Sequence, residues 1–387
     1  MVYFFSKRIQ VIVVVLCLLL SSTPFCQSTE QKKSVPIGQL KFLGEYDVPF
    51  NHQYNNTTVG GLSGIDYDST QQLYYLISDD RSAINPARYY TAKILFDQTG
   101  IKKVEFVNVT TLLAKNGKSY PDSKHDPGHT PDPEALRYNP VTHQMIWSSE
   151  GERIVGSKDT ILENPEVTII TPSGKYIDTF SLPPNLHMQA TEKGPRQNGV
   201  FEGLTFADNF KTLYVNVEEP LYEDGPRADI TENNAWIRIL KFDMQSKKNT
   251  AQYAYKLDPV AHPSTPAEAF MINGIPDILS IGDDKFIIIE RSFSSGKMAC
   301  TIKVFLTDIS QASNIIHIPS LKTNATFHPA EKKLLLNMDM LGIYIDNIEG
   351  VTFGPRLPNG HNTLLFVADN NFNLLEKTQF LLFEVMP

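Results

Sequence analysis

The chain has 387 residues, 41% hydrophobic and 20% charged, with Gly and Pro spread along it; this excludes a collagenous or low-complexity protein and provides for a large core. A formal net charge of −8 argues against nucleic acid or an anionic membrane as the main partner and leaves room for cations. Three cysteines, two of them (Cys17 and Cys26) in or near the N-terminal apolar segment, leave only Cys300 for a folded domain, so no internal disulfide is expected and Cys300 reads as a buried small hydrophobe.

Lys7 and Arg8 precede the apolar run Ile9 to Leu20, which is followed by Ser21-Ser22-Thr23. That order reads as a secretory signal peptide over residues 1–27, and the run is short of the roughly 20 apolar residues that span a bilayer. Phe25 is bulky where lipoprotein processing at Cys26 wants a small residue. The expected organisation is a signal peptide, a linker over 28–38 and one domain over 39–387. The product would be exported, periplasmic or extracellular, monomeric, and not inserted in the membrane after cleavage. Four Asn-X-Ser/Thr sequons start at Asn55, Asn56, Asn108 and Asn324.

From residue 61 a motif recurs five times. It begins as Gly61-Leu-Ser-Gly-Ile-Asp-Tyr67, Pro133-Glu-Ala-Leu-Arg-Tyr138, Phe201-Glu-Gly-Leu-Thr-Phe206, Pro276-Asp-Ile-Leu-Ser-Ile281 and Ile348-Glu-Gly-Val-Thr-Phe353. Each copy has a polar residue, a mostly small one, then alternating apolar positions. The polar residues Ser63, Glu134, Glu202, Asp277 and Glu349 are 71, 68, 75 and 72 positions apart, which marks a repeat architecture. A β-branched and aromatic run follows each motif: Gln72–Ser78, Gln144–Ser149, Lys211–Val217, Lys285–Ile289 and Asn362–Ala368. Each run ends in charge or amide, at Asp79-Asp80-Arg81, Glu150-Gly-Glu152-Arg153, Glu218-Glu219, Glu290-Arg291 and Asp369-Asn370-Asn371. Further strands are expected at 89–97 and 103–109, 166–171 and 175–182, 235–243 and 251–257, and 301–307 and 333–338. The fifth repeat stops at its third strand, 380–384, and its missing fourth is supplied by 39–46. The expected fold is therefore an all-β, five-bladed propeller of four antiparallel strands per blade, closed by pairing of the two ends, with six blades as the alternative.

In a propeller the start of the first strand and the end of the second meet at the mouth of the central channel. Ser63, Glu134, Glu202, Asp277 and Glu349 would ring that mouth. Unpaired carboxylates there repel one another, and a bound cation or pairing with Arg81, Arg137 or Arg291 relieves this. An all-oxygen ligand set favours Ca²⁺.

These residues resemble the phytase-like family, known for esterase-like activity, through residues 61–66, Ser78-Asp-Asp-Arg81, Asp132-Pro-Glu-Ala-Leu-Arg137, 201–205, Glu290-Arg-Ser292 and 348–352. The resemblance covers about residues 40–387 and implies a secreted propeller that hydrolyses phosphate or carboxylate esters. A fainter resemblance is to calcium-activated nucleotidases of the apyrase type, whose Ser and Glu ring around central Ca²⁺ is matched by Ser63, Glu134, Glu202 and Glu349. Asp277 departs from it, standing where that family has Ser.

The leading reading is a metal-dependent phosphoesterase acting on a small phosphate ester. Arg81, Arg153 and Arg291 would hold phosphate oxygens, and Asp79, Asp80 or Glu150 would act as general base. His125 and His129 precede the second motif on a loop that reads rather as a solvated insertion. Alternatives are a non-enzymatic, Ca²⁺-stabilised propeller that binds a ligand or partner, and a lactonase- or carboxylesterase-like hydrolase. A serine nucleophile is poorly supported, since no Gly-X-Ser-X-Gly occurs. Insertions at 111–132, 183–200 and 220–234 are read as lids or plain loops.

Overall fold

A computed structural model describes Met1 and residues 34–323 and 326–387; the expected signal peptide and the Asn324 sequon lie outside the described residues. Five four-stranded antiparallel sheets follow one another along the chain. Blade one is Leu62–Asp68, Leu73–Ser78, Arg88–Asp97 and Gly100–Thr111. Blade two is Pro133–Asn139, Gln144–Ser149, Glu166–Ile170 and Tyr176–Thr179, and blade three is Phe201–Ala207, Thr212–Val217, Trp236–Asp243 and Lys248–Lys256. Blade four uses Lys285–Ser294, Thr301–Asp308 and Glu331–Asn337 outside an inner strand broken into Met271–Gly274 and Ile278–Gly282. Blade five is Asn347–Gly354, Thr363–Asp369, Thr378–Met386 and, from the other end of the domain, Gln39–Val48. Gln39 pairs with Met386 and Val48 with Thr378, so the first and last strands close the ring. Among the described residues no helix is long and apolar enough to cross a membrane.

The strands form where β-branched and aromatic residues recur, and short polar turns join them. Asp68 Oδ1 accepts from the Thr70 and Gln71 amides, and Asn139 Oδ1 from those of Val141 and Thr142, which turns the first strands of blades one and two into the second. The core is divided among the seams between blades. Leu62, Ile65 and Leu76 of blade one meet Leu365, Val367 and Leu382 of blade five. Ile287, Ile289 and Val304 meet Leu364, Phe366 and Phe383 between blades four and five. Cys300 belongs to that layer, unpaired, its thiol pushed up to about 12 by burial.

The structure gives the repeated motif a physical meaning. In blades one, two, three and five the pairing of the first strand slips at the motif's polar residue, between Leu62 and Gly64, Pro133 and Leu136, Phe201 and Leu204, and Ile348 and Gly350. Such a bulge re-aims one side chain, here toward the axis. The small residue that follows is required by close approach: a Cβ on Gly203 would fall 2.5 Å from the Asp277 Cα, and one on Gly64 2.9 Å from the Glu134 carbonyl oxygen. Blade four has a break at Ile275–Asp277 where the others have a bulge. Its second strand, expected to end at Ile289, runs on through Arg291 to Ser294, paired with Met271–Gly274.

Arg137 fills the axis below the motifs. It is 2% exposed and donates to both oxygens of Asp277, at 2.8 and 2.7 Å, and to the Ile65 carbonyl at 2.6 Å. The Val351 carbonyl also accepts from it, and the Val351 amide donates to Asp277 Oδ2 at 2.8 Å. Blades one, two, four and five are joined through this one pair. Burial pushes the Asp277 carboxyl up to about 6 although Arg137 opposes the rise. Arg137→Leu leaves the buried Asp277 carboxylate without its counter-charge and is expected to cost about 3–5 kcal/mol in urea denaturation. Arg137→Leu with Asp277→Asn is expected to recover most of that loss. A single variant within about 1 kcal/mol of wild type would contradict this role.

Candidate metal centre

The bulges of blades two and three aim Glu134 and Glu202 inward, and the ends of the second strands bring Glu150 and Glu218 beside them. Asp132, just ahead of blade two, completes the group. Asp132, Glu134 and Glu150 can each place a carboxylate oxygen within 4.8 Å of the others, and so can Glu150, Glu202 and Glu218. Glu150 is common to both triads.

Four of the five are buried and Asp132 is partly exposed, and at an effective dielectric constant of ~20 each ionised pair at this spacing repels by about 3.5 kcal/mol. Burial first, then the Arg81 guanidinium against it and Glu152 with it, leaves Asp132 pushed up to about 7. Burial also raises Glu134, Glu150 and Glu202 well above the usual carboxylate range, reinforced by Glu202 on Glu134, by Glu218 on Glu150 and by Glu150 on Glu202. The Val200 amide donates to Glu150 Oε1, but Glu150 Oε2 and Glu218 Oε2 are buried without a hydrogen-bond partner. Buried, orphaned carboxylate oxygens with no thiolate or imidazole among them fit a hard divalent cation.

Arg291 flanks this centre. It donates to Glu218 Oε1 at 2.7 Å, to Asn347 Oδ1 at 2.7 Å and to Glu349 Oε1. Burial outweighs Arg291 at Glu349, whose carboxyl is pushed up to about 8. Asp79 and Asp369 are raised well above the usual range by burial, Asp79 next by Glu349 and Asp369 next by Asp79. Arg81 pairs with Glu152 at 2.6 Å and lies 3.7 Å from Asp132. The Nε–H groups of Arg81 and Arg291 are buried and have no hydrogen-bond acceptor.

The other residues singled out from the sequence are placed differently. Ser63 Oγ donates to the Glu134 carbonyl at 2.7 Å and so fixes the neighbouring motif. Asp277 faces Arg137, and Glu349 faces Arg291 and Asn347 Nδ2. Asp80 is spent on Arg88, at 2.7 Å, and on the amides of Ala83, Ile84 and Asn85. Arg153 turns outward to the carbonyls of Gln189 and Thr191 and over the Tyr222 ring. His125 and His129 are exposed and paired with Asp122 and Asp126. Asp132 and Glu218 join the cluster although neither was a candidate ligand; Glu218 stands at the charged end of a second strand, the signal that also marks Glu150.

The 183–200 and 220–234 insertions are bonded to one another. The Tyr222 amide donates to the Gly194 carbonyl, the Gly194 amide to Glu223 Oε2, and Arg196 to the carbonyls of Pro220 and Gly225. Asp224 is held by Arg238 at 2.6 Å in an ion pair buried on both sides.

A family model described as "Phytase-like: Esterase-like activity of phytase" matches residues 57–372. An "Uncharacterized secreted protein" of Arthroderma benhamiae is 26% identical over 174 residues, a match spanning 42% of this chain and 32% of the relative. Among solved structures, an exo-β-1,3-galactanase from Phanerochaete chrysosporium superposes with TM-score 0.43 and 12% identity over 88% of this chain and 64% of its own. A GH43 β-1,3-galactosidase gives TM-score 0.44 and 12% identity, over 87% and 93%. At those values the likeness carries no argument about chemistry.

Carboxyls whose folded pKa lies above the unfolded one bind more protons when folded, so without metal they lower stability as pH rises. For Asp132 and Glu349 that window runs from about 4, the unfolded range, to about 7–8. A divalent cation held by the triads would replace the protons of Asp132 and its neighbours there, though not that of Glu349. The melting temperature in chelator is expected to fall across this window, and the gain from Ca²⁺ to widen with pH, reaching about 3–4 °C at a hundred times Kd. A gain that is absent, or equal at pH about 5 and about 8, would contradict the site.

Proposed function

The chain belongs to the phytase-like family, and from that premise we propose that it is an exported, metal-dependent hydrolase of phosphate esters. The observation that carries the reading is the pair of carboxylate triads sharing Glu150, with orphaned acceptor oxygens, beside two arginines with orphaned Nε–H donors. Ca²⁺ suits the ligand set, held by Asp132, Glu134, Glu150, Glu202 and Glu218. When bound, such an ion would polarise a phosphoryl oxygen and neutralise its charge. Arg81 and Arg291 would each offer Nε–H to a phosphate oxygen, and their pairing with Glu152, Glu218 and Glu349 would hold the guanidinium planes in place. Asp79, whose carboxyl burial raises well above the usual range, is assigned as a proton donor to the leaving oxygen rather than as the general base the sequence suggested.

One observation favours a second reading. All three arginines are already engaged with protein groups, and Arg153 turns away from the centre. That is what a propeller with a structural Ca²⁺ and no catalysis would need.

Turnover of a phosphomonoester, a nucleoside diphosphate and a carboxylate ester, each with chelator and with Ca²⁺, separates these readings. The proposal expects Ca²⁺-dependent release of phosphate, lowered about 100-fold in kcat/KM by Arg291→Lys, which keeps the charge but loses the fork. Turnover confined to the carboxylate ester would point to a lactonase- or carboxylesterase-like enzyme. No turnover, with a melting temperature still raised by Ca²⁺, would leave the structural ion.

A further inference from the structure

The 111–132 insertion and the outer edge of blade two enclose a cleft of about 910 Å³, lined by none of the five carboxylates described above. The rings of Tyr120 and Tyr176 and the carboxylates of Asp126, Glu163 and Glu166 line it. Tyr120 stands edge-on to Trp147, their centroids 6.1 Å apart, which braces the ring. Its phenol is raised by burial and then by Glu166 and Glu163. Glu163 Oε2 is a buried acceptor without a donor. Burial pushes the Glu163 carboxyl up to about 7, against Arg81 and His129. Asp126 is already paired with His129 at 2.7 Å. Over the face of Tyr176, at 5.6 Å, lies the ammonium of Lys115, an exposed side chain that can be displaced.

We propose that this cleft is a second binding site, for an organic cation with primary ammonium groups, which replaces Lys115 on the Tyr176 face and donates to Glu163 Oε2. The aromatic face attracts an ammonium through its quadrupole, and the orphaned carboxylate oxygen requires an N–H or O–H donor. A neutral polyol would leave the charge of Glu163 and Glu166 uncompensated, and an anion is opposed by three carboxylates. The volume lies within the usual range for small-molecule sites and accommodates an extended, flexible amine. None of the triad carboxylates lines this cleft, so the proposal stands apart from the ester reading.

Calorimetric titration of spermidine into the full chain, with excess Ca²⁺ present to occupy the channel mouth, tests it. Saturable binding is expected, weakened roughly tenfold by Glu163→Gln and by Tyr176→Ala. Glu202→Gln, at the channel mouth, is expected to leave it unchanged, and thermal unfolding checks that each variant is folded. Binding that survives both cleft substitutions and is lost in Glu202→Gln would show that the amine enters the mouth only and overturn the proposal. So would the absence of saturable binding, or a cleft that takes glucose and not spermidine.

Discussion

Arg137 reaches from blade two to the axis and there meets a carboxylate of blade four and carbonyls of blades one and five. Five inner strands cannot close on an axis without leaving backbone groups and bulged motifs facing one another, and a long guanidinium with five donors suits that space. The pair is fully buried, so its Coulomb gain is set against a large desolvation cost, and it acts chiefly by fixing which groups face which. Because Asp277 is spent on Arg137, the four-carboxylate symmetry of the repeat is broken. The acidic load then falls on blades two and three, where the two triads form, while Arg291 takes up Glu349.

The mouth is thus an electrostatic problem only partly solved by the protein. Arg81 and Arg291 pair with Glu152, Glu218 and Glu349, yet Glu150 Oε2 and Glu218 Oε2 have nothing to accept from. Protons or a cation must take up the remainder, and which of them does so depends on pH. The buried Asp224–Arg238 pair and the bonds between the 183–200 and 220–234 segments tie these two insertions together.

Much of this architecture was legible in the residues. The constant spacing of Ser63, Glu134, Glu202, Asp277 and Glu349 reported five blades, and the truncated fifth repeat pointed to Gln39–Val48 as its closing strand, which pairs with Thr378–Met386. The site was legible to the level of which ends of which strands meet, because period and strand direction decide that. The facing of each side chain was not. Whether a motif residue turns into the mouth depends on the bulge, present at Glu202 and replaced by a break at Asp277. The fate of a carboxylate also depends on long-range partners: Asp80 meets Arg88, and Asp277 meets Arg137, 140 positions away. The hairpin of Glu152–Val155 with Thr160–Glu163 carries no repeat signal, so the cleft beside it had none either.

The central claim is that one cation site is built on Glu150 and its neighbours rather than on a symmetric ring. Calcium titration calorimetry at pH about 7, repeated in buffers of different ionisation heat, measures affinity and proton release together. The account predicts proton release on binding, loss of binding in Glu150→Gln, and binding retained in Glu349→Gln. Binding that is indifferent to Glu150→Gln, or abolished by Glu349→Gln, would contradict it.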